Sequence, residues 1–212
     1  MYQTILFDLD GCLVHSLPAW VTSFTETYAE YKITKTEAEI VHALYHFDHE
    51  ADTEVDDPRE FSTKVYTRYR THHDLLELHE YVPETLKQLK AAGKSIGVVT
   101  SSTRETALSI LESQKILDYF DVVMAWEDTE TNKPDPEPVL EAIKRLSGNK
   151  KTSIMIGDSD VDIIAAQQAG ITSVWYHPVA NETFFADNHF SHLKPDYTVK
   201  HFQEFLDIVN KD

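Results

Sequence analysis

Two carboxylates, Asp8 and Asp10, stand two positions apart in ILFDLDG, where an apolar run gives way to a turn. A carboxylate can attack phosphorus as a covalent nucleophile. A second carboxyl close by can protonate a leaving group and then deprotonate water. The same two acids would equally serve as caps of an ordinary polar turn. Three more stretches place a polar residue at or just beyond the end of an apolar run. In GVVTSST, Thr100 is followed by Ser101, Ser102 and Thr103 at the start of a helix. Hydroxyls and free N–H groups there suit an anionic oxygen, while Ser102 or Thr103 also reads as a plain N-cap. In ETNKPDPEP, Lys133 lies in a loop restricted by Pro134 and Pro136, which can hold an ammonium in place. It reads also as a surface lysine before a helix. In IMIGDSDVD, Asp162 lies one helical turn beyond Asp158 and can share its face. Two such acids fit Mg²⁺, which takes oxygen ligands and completes its shell with water and phosphate. They fit as well as acids that complement a helix dipole, the plainer reading of Asp160 too.

The elements that would bring these ends together alternate in texture. Apolar, β-branched runs at Gln3–Phe7, Lys94–Val99, Phe120–Ala125, Ser153–Ile156 and Thr172–Tyr176 read as buried strands, with a weaker sixth at Asp196–Val199. Amphipathic stretches lie between and after them, at Pro83–Ala92, Thr103–Gln114, Glu137–Leu146, Asp160–Ala169 and Lys200–Val209. Gly93 and Gly170 serve as helix stops. Alternating strands and helices predict an α/β fold, a Rossmann-like parallel sheet with helices on both faces. Ligands bind such sheets at the carboxyl ends of the strands, which is where all four polar stretches fall. The alternation breaks once. Residues 15–82 carry no clear strand and read as helices at Leu17–Tyr31, Lys35–His46, Asp57–Arg70 and His73–His79. A small α-helical domain spanning 15–82 is therefore expected as an insert into a core of 1–14 and 83–212. The acidic stretch HFDHEADTEVDDPRE within it reads as a solvated loop.

Composition sets the outer bounds. The chain has 212 residues, 42% hydrophobic and 26% charged, enough for one sizeable core or a core with a small companion. The formal net charge of −17 argues against nucleic-acid and anionic-membrane partners. An anionic substrate stays compatible with it, since a bound dication and a buried lysine reverse the local field. Cys12 is the single cysteine, so no intrachain disulfide exists. With no signal-like or membrane-spanning apolar segment, a cytoplasmic location is expected, and a monomer is the expected state.

Taken in order, FDLDG, VVTSS, NKPDPEP and IGDSDVD resemble the four motifs of the haloacid dehalogenase-like hydrolase superfamily, and the resemblance runs the length of the chain. The KPDPEP form is similar to the phosphoglycolate phosphatase and β-phosphoglucomutase branch, whose helical cap the insert resembles. The resemblance implies a Mg²⁺-dependent phosphatase of small phosphorylated metabolites. Asp8 would be the nucleophile that forms an aspartyl-phosphate, and Asp10 the general acid and then base. Thr100, Ser101 and Lys133 would bind the phosphate. Asp8, Asp158 and the backbone carbonyl of Asp10 would hold the metal, and Asp162 would ligate it too or hold a metal-bound water. The first step needs a protonated Asp10, which the nearby carboxylates of Asp8 and Asp158 are expected to favour. The implied cap would move as a lid about linkers near His15 and Val82.

Asp10 argues against dehalogenation and against a phosphonoacetaldehyde hydrolase, which would need a cap lysine such as Lys32, Lys35 or Lys64. A phosphomutase and a non-catalytic binding protein on the same fold stay open, although the insert lacks glycine and holds only Arg59, Arg68 and Arg70 as arginines. Those arginines and the pair His72–His73 are the cap's substrate candidates. Cys12 departs from the Thr usual in the family, which puts any side-chain support of the first motif loop in question; His15 departs from the usual Asp at the entry to the insert, where it reads as a hinge or substrate contact or as a plain surface histidine.

Overall fold

A computed structural model describes residues 1–46, 55–179 and 194–211. Most of the acidic stretch expected as a loop, residues 47–54, lies outside them. The described chain divides into two compact units, Met1–Val14 with Leu78–Asp212, and His15–Glu77.

The first unit is built on six parallel strands: β1 (Thr4–Phe7), β4 (Ser95–Val99), β5 (Val122–Met124), β6 (Ser153–Gly157), β7 (Thr172–Tyr176) and β8 (Tyr197–Val199). Their order is β5-β4-β1-β6-β7-β8. β1 is central, with Phe7 level with Val98 on one side and Ile156 on the other. The chain runs outward from β1 in both directions, so the switch point where an open parallel sheet binds ligands lies at the carboxyl end of β1.

Alternation along β1 divides the core. Leu6 joins Val99, Met124 and Met155 beneath Val139, Ala142 and Ile143 of helix α6 (Glu137–Arg145) and Ala165, Ala166 and Ala169 of helix α7 (Asp160–Ala169). Phe7 stacks on Phe202 and meets Phe205 edge-on, both from helix α8 (Phe202–Asn210). Helix α4 (Val82–Ala91) buries Leu86 and Leu89 alongside, and α5 (Arg104–Ser113) follows β4. Helices thus cover both faces, and β1 is fully buried, which suits its unbroken apolar sequence.

The second unit is helical: α1 (Leu17–Glu30), α2 (Glu37–His46) and α3 (Pro58–Tyr69). Thr36 and Glu39 form a reciprocal capping box at the start of α2. Asp57 caps α3 through the N–H groups of Arg59 and Glu60, with Pro58 as first helical residue. Phe24, Tyr28, Ile40, Val55, Phe61 and Val65 form the unit's core.

The expected helix at His73–His79 does not form. The segment holds a single 3-10 turn at His73–Leu75 and a two-residue strand β3 (Glu77–Leu78), paired with β2 (Val14–His15). Seven residues are too few to sustain a helix alone, and the backbone N–H of His79 is taken by the Leu13 carbonyl at 3.1 Å. The expectation of no strand between His15 and Val82 fails for the same reason: a two-residue pairing leaves no periodicity to read.

Candidate active site

The carboxyl end of β1 delivers Asp8, whose N–H donates to the Ile156 carbonyl at 2.9 Å and so continues the sheet by one residue. β6 delivers Asp158 at its end, and α7 brings Asp162 back over it. These three acids are buried, and one carboxylate oxygen from each lies within 4.8 Å of the others. Two glycines make that approach feasible. A Cβ on Gly11, at φ +81°, would stand 2.0 Å from Asp158 Oδ2; one on Gly157 would stand 2.4 Å from the Asp162 carboxyl. Both distances are far inside van der Waals contact, so larger residues there would displace the acids.

Lys133 sits among them. Its Nζ donates to Asp8 Oδ1 and to Asp162 Oδ1 at 2.6 Å each, and to the Val99 carbonyl at 2.9 Å. All three ammonium donors are thereby used. The loop that carries it is stapled in place: Glu137 accepts from the Thr131 N–H and hydroxyl, and Asp135 accepts from the Glu137 N–H. The other oxygen of Asp162 accepts from the N–H and hydroxyl of Ser159, in a capping box that opens α7.

Three buried carboxylates against one ammonium leave the site short of positive charge. Burial first, and then the Asp162 carboxylate, push Asp8 up to about 8 despite Lys133. Burial and the charge of Asp8 raise Asp158 well above the carboxylate range. Burial works to lower the Lys133 ammonium, but Asp162 and Asp8 outweigh it and raise it. A cluster of hard oxygen donors that holds protons in this way fits a bound dication such as Mg²⁺, which supplies the missing charge.

Thr100 is buried at the end of β4, its N–H donating to the Met124 carbonyl at 2.9 Å. Ser101 is exposed. Asp10 is half-buried in the turn after β1, and its Oδ2 accepts from the Ser102 hydroxyl at 2.8 Å. Of the seven site residues singled out in the sequence, Asp8, Asp10, Thr100, Asp158 and Asp162 follow strand ends of one sheet, Lys133 reaches Asp8 and Asp162 from its loop, and Ser101 lies exposed beyond Thr100.

A family profile of the haloacid dehalogenase-like hydrolases matches residues 5–176, most of the chain. The chain belongs to that family. It is similar to proteins named pyrophosphatase PpaX. The one from Halalkalibacterium halodurans is 32% identical, with 98% of this chain and 96% of the relative aligned. The one from Bacillus mycoides is 31% identical, with 99% and 97% aligned. A crystal structure from Lactobacillus plantarum, provisionally named a phosphoglycolate phosphatase, superposes with a TM-score of 0.83 at 25% identity, covering 98% of this chain and 99% of that one.

Set against the family pattern, Cys12 is less of a loss than its type implies. Its buried thiol donates to the Ile156 carbonyl at 3.6 Å, so the first motif loop keeps a side-chain bond to β6. Burial raises that thiol, as do the charges of Asp8 and Asp158, which holds it in the donating form. Several supports of this hydrolase's site escaped sequence reasoning. His79 places Nε2 3.0 Å from the Gly11 carbonyl; a carbonyl only accepts, so that nitrogen carries the proton. The ring stands edge-on to Tyr176. Trp175 donates its indole N–H to the Asp158 backbone carbonyl at 3.1 Å. Neither residue shows a motif, since each acts across a distance in sequence.

The insert's basic candidates are engaged locally. Arg68 donates to the Thr27 hydroxyl at 2.8 Å and pairs with Glu26 and Glu30. Lys64 pairs with Glu60 and Glu30, and His72 meets Glu26 at 3.2 Å. Arg59 and Arg70 are exposed. Among the described residues no helix is long and apolar enough to cross a membrane.

Proposed function

We propose that this chain, a phosphatase of the haloacid dehalogenase-like family, hydrolyses a small phosphorylated metabolite in two in-line steps at Asp8. The observation that carries the reading is the buried Lys133 ammonium, bonded at 2.6 Å to both Asp8 and Asp162 beside Asp158. A purely structural cluster would have little reason to gather three acids around one cation, since burying such charges rarely stabilises a fold.

In the first step an Asp8 oxygen bonds to phosphorus, the bond to the leaving oxygen breaks, and Asp10 gives that oxygen its proton. In the second, Asp10 takes a proton from water as the water oxygen bonds to phosphorus. The Asp8–phosphorus bond breaks, and inorganic phosphate leaves. Lys133 holds Asp8 in position and offsets negative charge as nucleophile and phosphate approach. Thr100 and Ser101 offer donors to the phosphoryl oxygens. The carboxylates of Asp8, Asp158 and Asp162 and the Asp10 carbonyl would hold Mg²⁺, which when bound neutralises phosphate charge and orients it.

Pyrophosphate stands first among substrates, because the relatives named for it align over nearly the whole chain above 30% identity. Phosphoglycolate stands second, on the structural likeness to the Lactobacillus plantarum protein. The test is phosphate release from pyrophosphate, phosphoglycolate, hexose phosphates, nucleoside monophosphates and p-nitrophenyl phosphate, with Mg²⁺ and with chelator. Turnover that needs Mg²⁺, vanishes in Asp8→Asn, and leaves a borohydride-trappable acyl phosphate on Asp8 is expected. An Asp8→Asn variant that still turns over substantially would end the covalent reading. Inertness of the wild-type protein toward the whole panel would favour a binding role.

A further inference from the structure

We infer that Ser102 is a positioning residue for Asp10, with its hydroxyl fixing which carboxyl oxygen carries the proton that goes to the leaving group. The inference rests on the proposed acid and base role of Asp10.

Ser102 stands 92 positions from Asp10 in sequence, yet its Oγ donates to Asp10 Oδ2 at 2.8 Å. The hydroxyl is not needed to shape its own loop. The Ser102 N–H already donates to the Thr100 hydroxyl at 3.0 Å, and its carbonyl accepts from the Trp126 N–H at 3.0 Å. Nor is it the cap of α5. Thr103 has that place, with its side chain accepting from the Thr106 N–H. What the hydroxyl adds is the contact to Asp10.

That contact suits a group that must change protonation state. An ammonium beside a carboxyl favours the charged form, as Lys133 does for Asp8. A hydroxyl donates to the oxygen of either form. While it donates to Oδ2, the proton of a neutral Asp10 is directed to Oδ1, and the carboxyl plane is held for both steps. Ser102 also bonds to Thr100, so the residue that grips a phosphoryl oxygen and the residue that serves the leaving oxygen share one support. Geometry of this kind accelerates a proton transfer by removing the search for orientation.

The assay is kcat/KM on substituted phenyl phosphates of graded leaving-group acidity, with Mg²⁺, since kcat/KM reports the step in which the leaving group departs. Weakly acidic phenols need the proton and nitrophenols scarcely do. Ser102→Ala is expected to lose about 10-fold more on phenyl phosphate than on a dinitrophenyl ester, as a part of the ~10²–10⁴-fold that a general acid contributes. Ser102→Thr keeps the hydroxyl and should restore the wild-type dependence. Asp10→Asn supplies the reference. If it steepens the leaving-group dependence while Ser102→Ala lowers all esters equally, the inference fails and the role of Asp10 survives. If Asp10→Asn leaves the dependence unchanged, the acid role itself fails and the inference falls with it.

Discussion

Loading the site with Mg²⁺ should expel protons, and the number follows from the acids that hold them. Asp8 lies at about 8 against an ordinary 3.8, raised by burial and by Asp162. At pH 7 such a group is protonated in about nine molecules of ten, and removing its proton costs about 1.4 kcal/mol. A dication needs the carboxylate, so binding releases close to one proton from Asp8. Asp158, raised by burial and by Asp8, gives up a second. The apparent Kd for Mg²⁺ should therefore fall about 10-fold per pH unit for one proton, and up to about 100-fold for two, between about pH 5.5 and 7.5. Folding is linked to the same protons. The folded chain holds a proton on Asp8 that the unfolded chain loses above its lower pKa. The contribution of that proton to the stability of the metal-free protein is therefore full below about pH 4 and falls as pH rises toward about 8, by about 1.4 kcal/mol per unit per proton. Excess Mg²⁺ should flatten that fall, because it binds the charged folded form alone. Titration calorimetry in two buffers of different ionisation enthalpy counts the protons, and thermal melts with chelator or with Mg²⁺ follow the stability. A Kd that is constant across this range, with no proton released, would refute the assignment of Asp8 and Asp158 as protonated ligands.

Other outcomes follow from particular contacts. Lys133→Met leaves Asp8 and Asp162 buried without their ammonium and should lower unfolding free energy by about 3–5 kcal/mol at pH 7. In urea denaturation a loss below about 1 kcal/mol would show that the ion cluster does not support the fold. Gly11→Ala asks an L-residue to hold φ +81° and puts a methyl 2.0 Å from Asp158 Oδ2. It should destabilise by about 1–2 kcal/mol through the backbone alone and weaken Mg²⁺ binding at least about 10-fold by displacing a ligand. Wild-type Mg²⁺ affinity in that variant would mean the Asp158 carboxylate has room that the geometry denies.

Much of the core was legible because buried parallel strands carry a dense local signal. The run at Gln3–Phe7 reads as a strand and forms one at Thr4–Phe7; Glu137–Leu146 reads as a helix and forms at Glu137–Arg145. Where the signal was thin, reading failed. Leu75, Leu76 and Leu78 have helical spacing, but the segment ends as a 3-10 turn and a two-residue strand. Its fate depends on backbone bonds to Leu13 and its neighbours, which lie more than sixty positions away. Phe120–Ala125 shows the same effect at smaller scale, since Phe120 follows a 3-10 turn and only Val122–Met124 pairs with β4.

Residue types and order at the strand ends marked which acids, hydroxyl and lysine are candidates for the site, because an open parallel sheet binds ligands at the carboxyl ends of its strands. Tertiary structure decided how charge is shared among them. Whether Lys133 was a surface cation or a buried ammonium between Asp8 and Asp162 depended on packing of a loop more than a hundred residues from β1. Ser102 reads, like Thr103, as a candidate N-cap until the fold places its Oγ on Asp10 and leaves Thr103 to cap α5. Proton affinity, like orientation, is a property of neighbours and of exclusion from water, and neighbours across a sheet are written in no local stretch of chain.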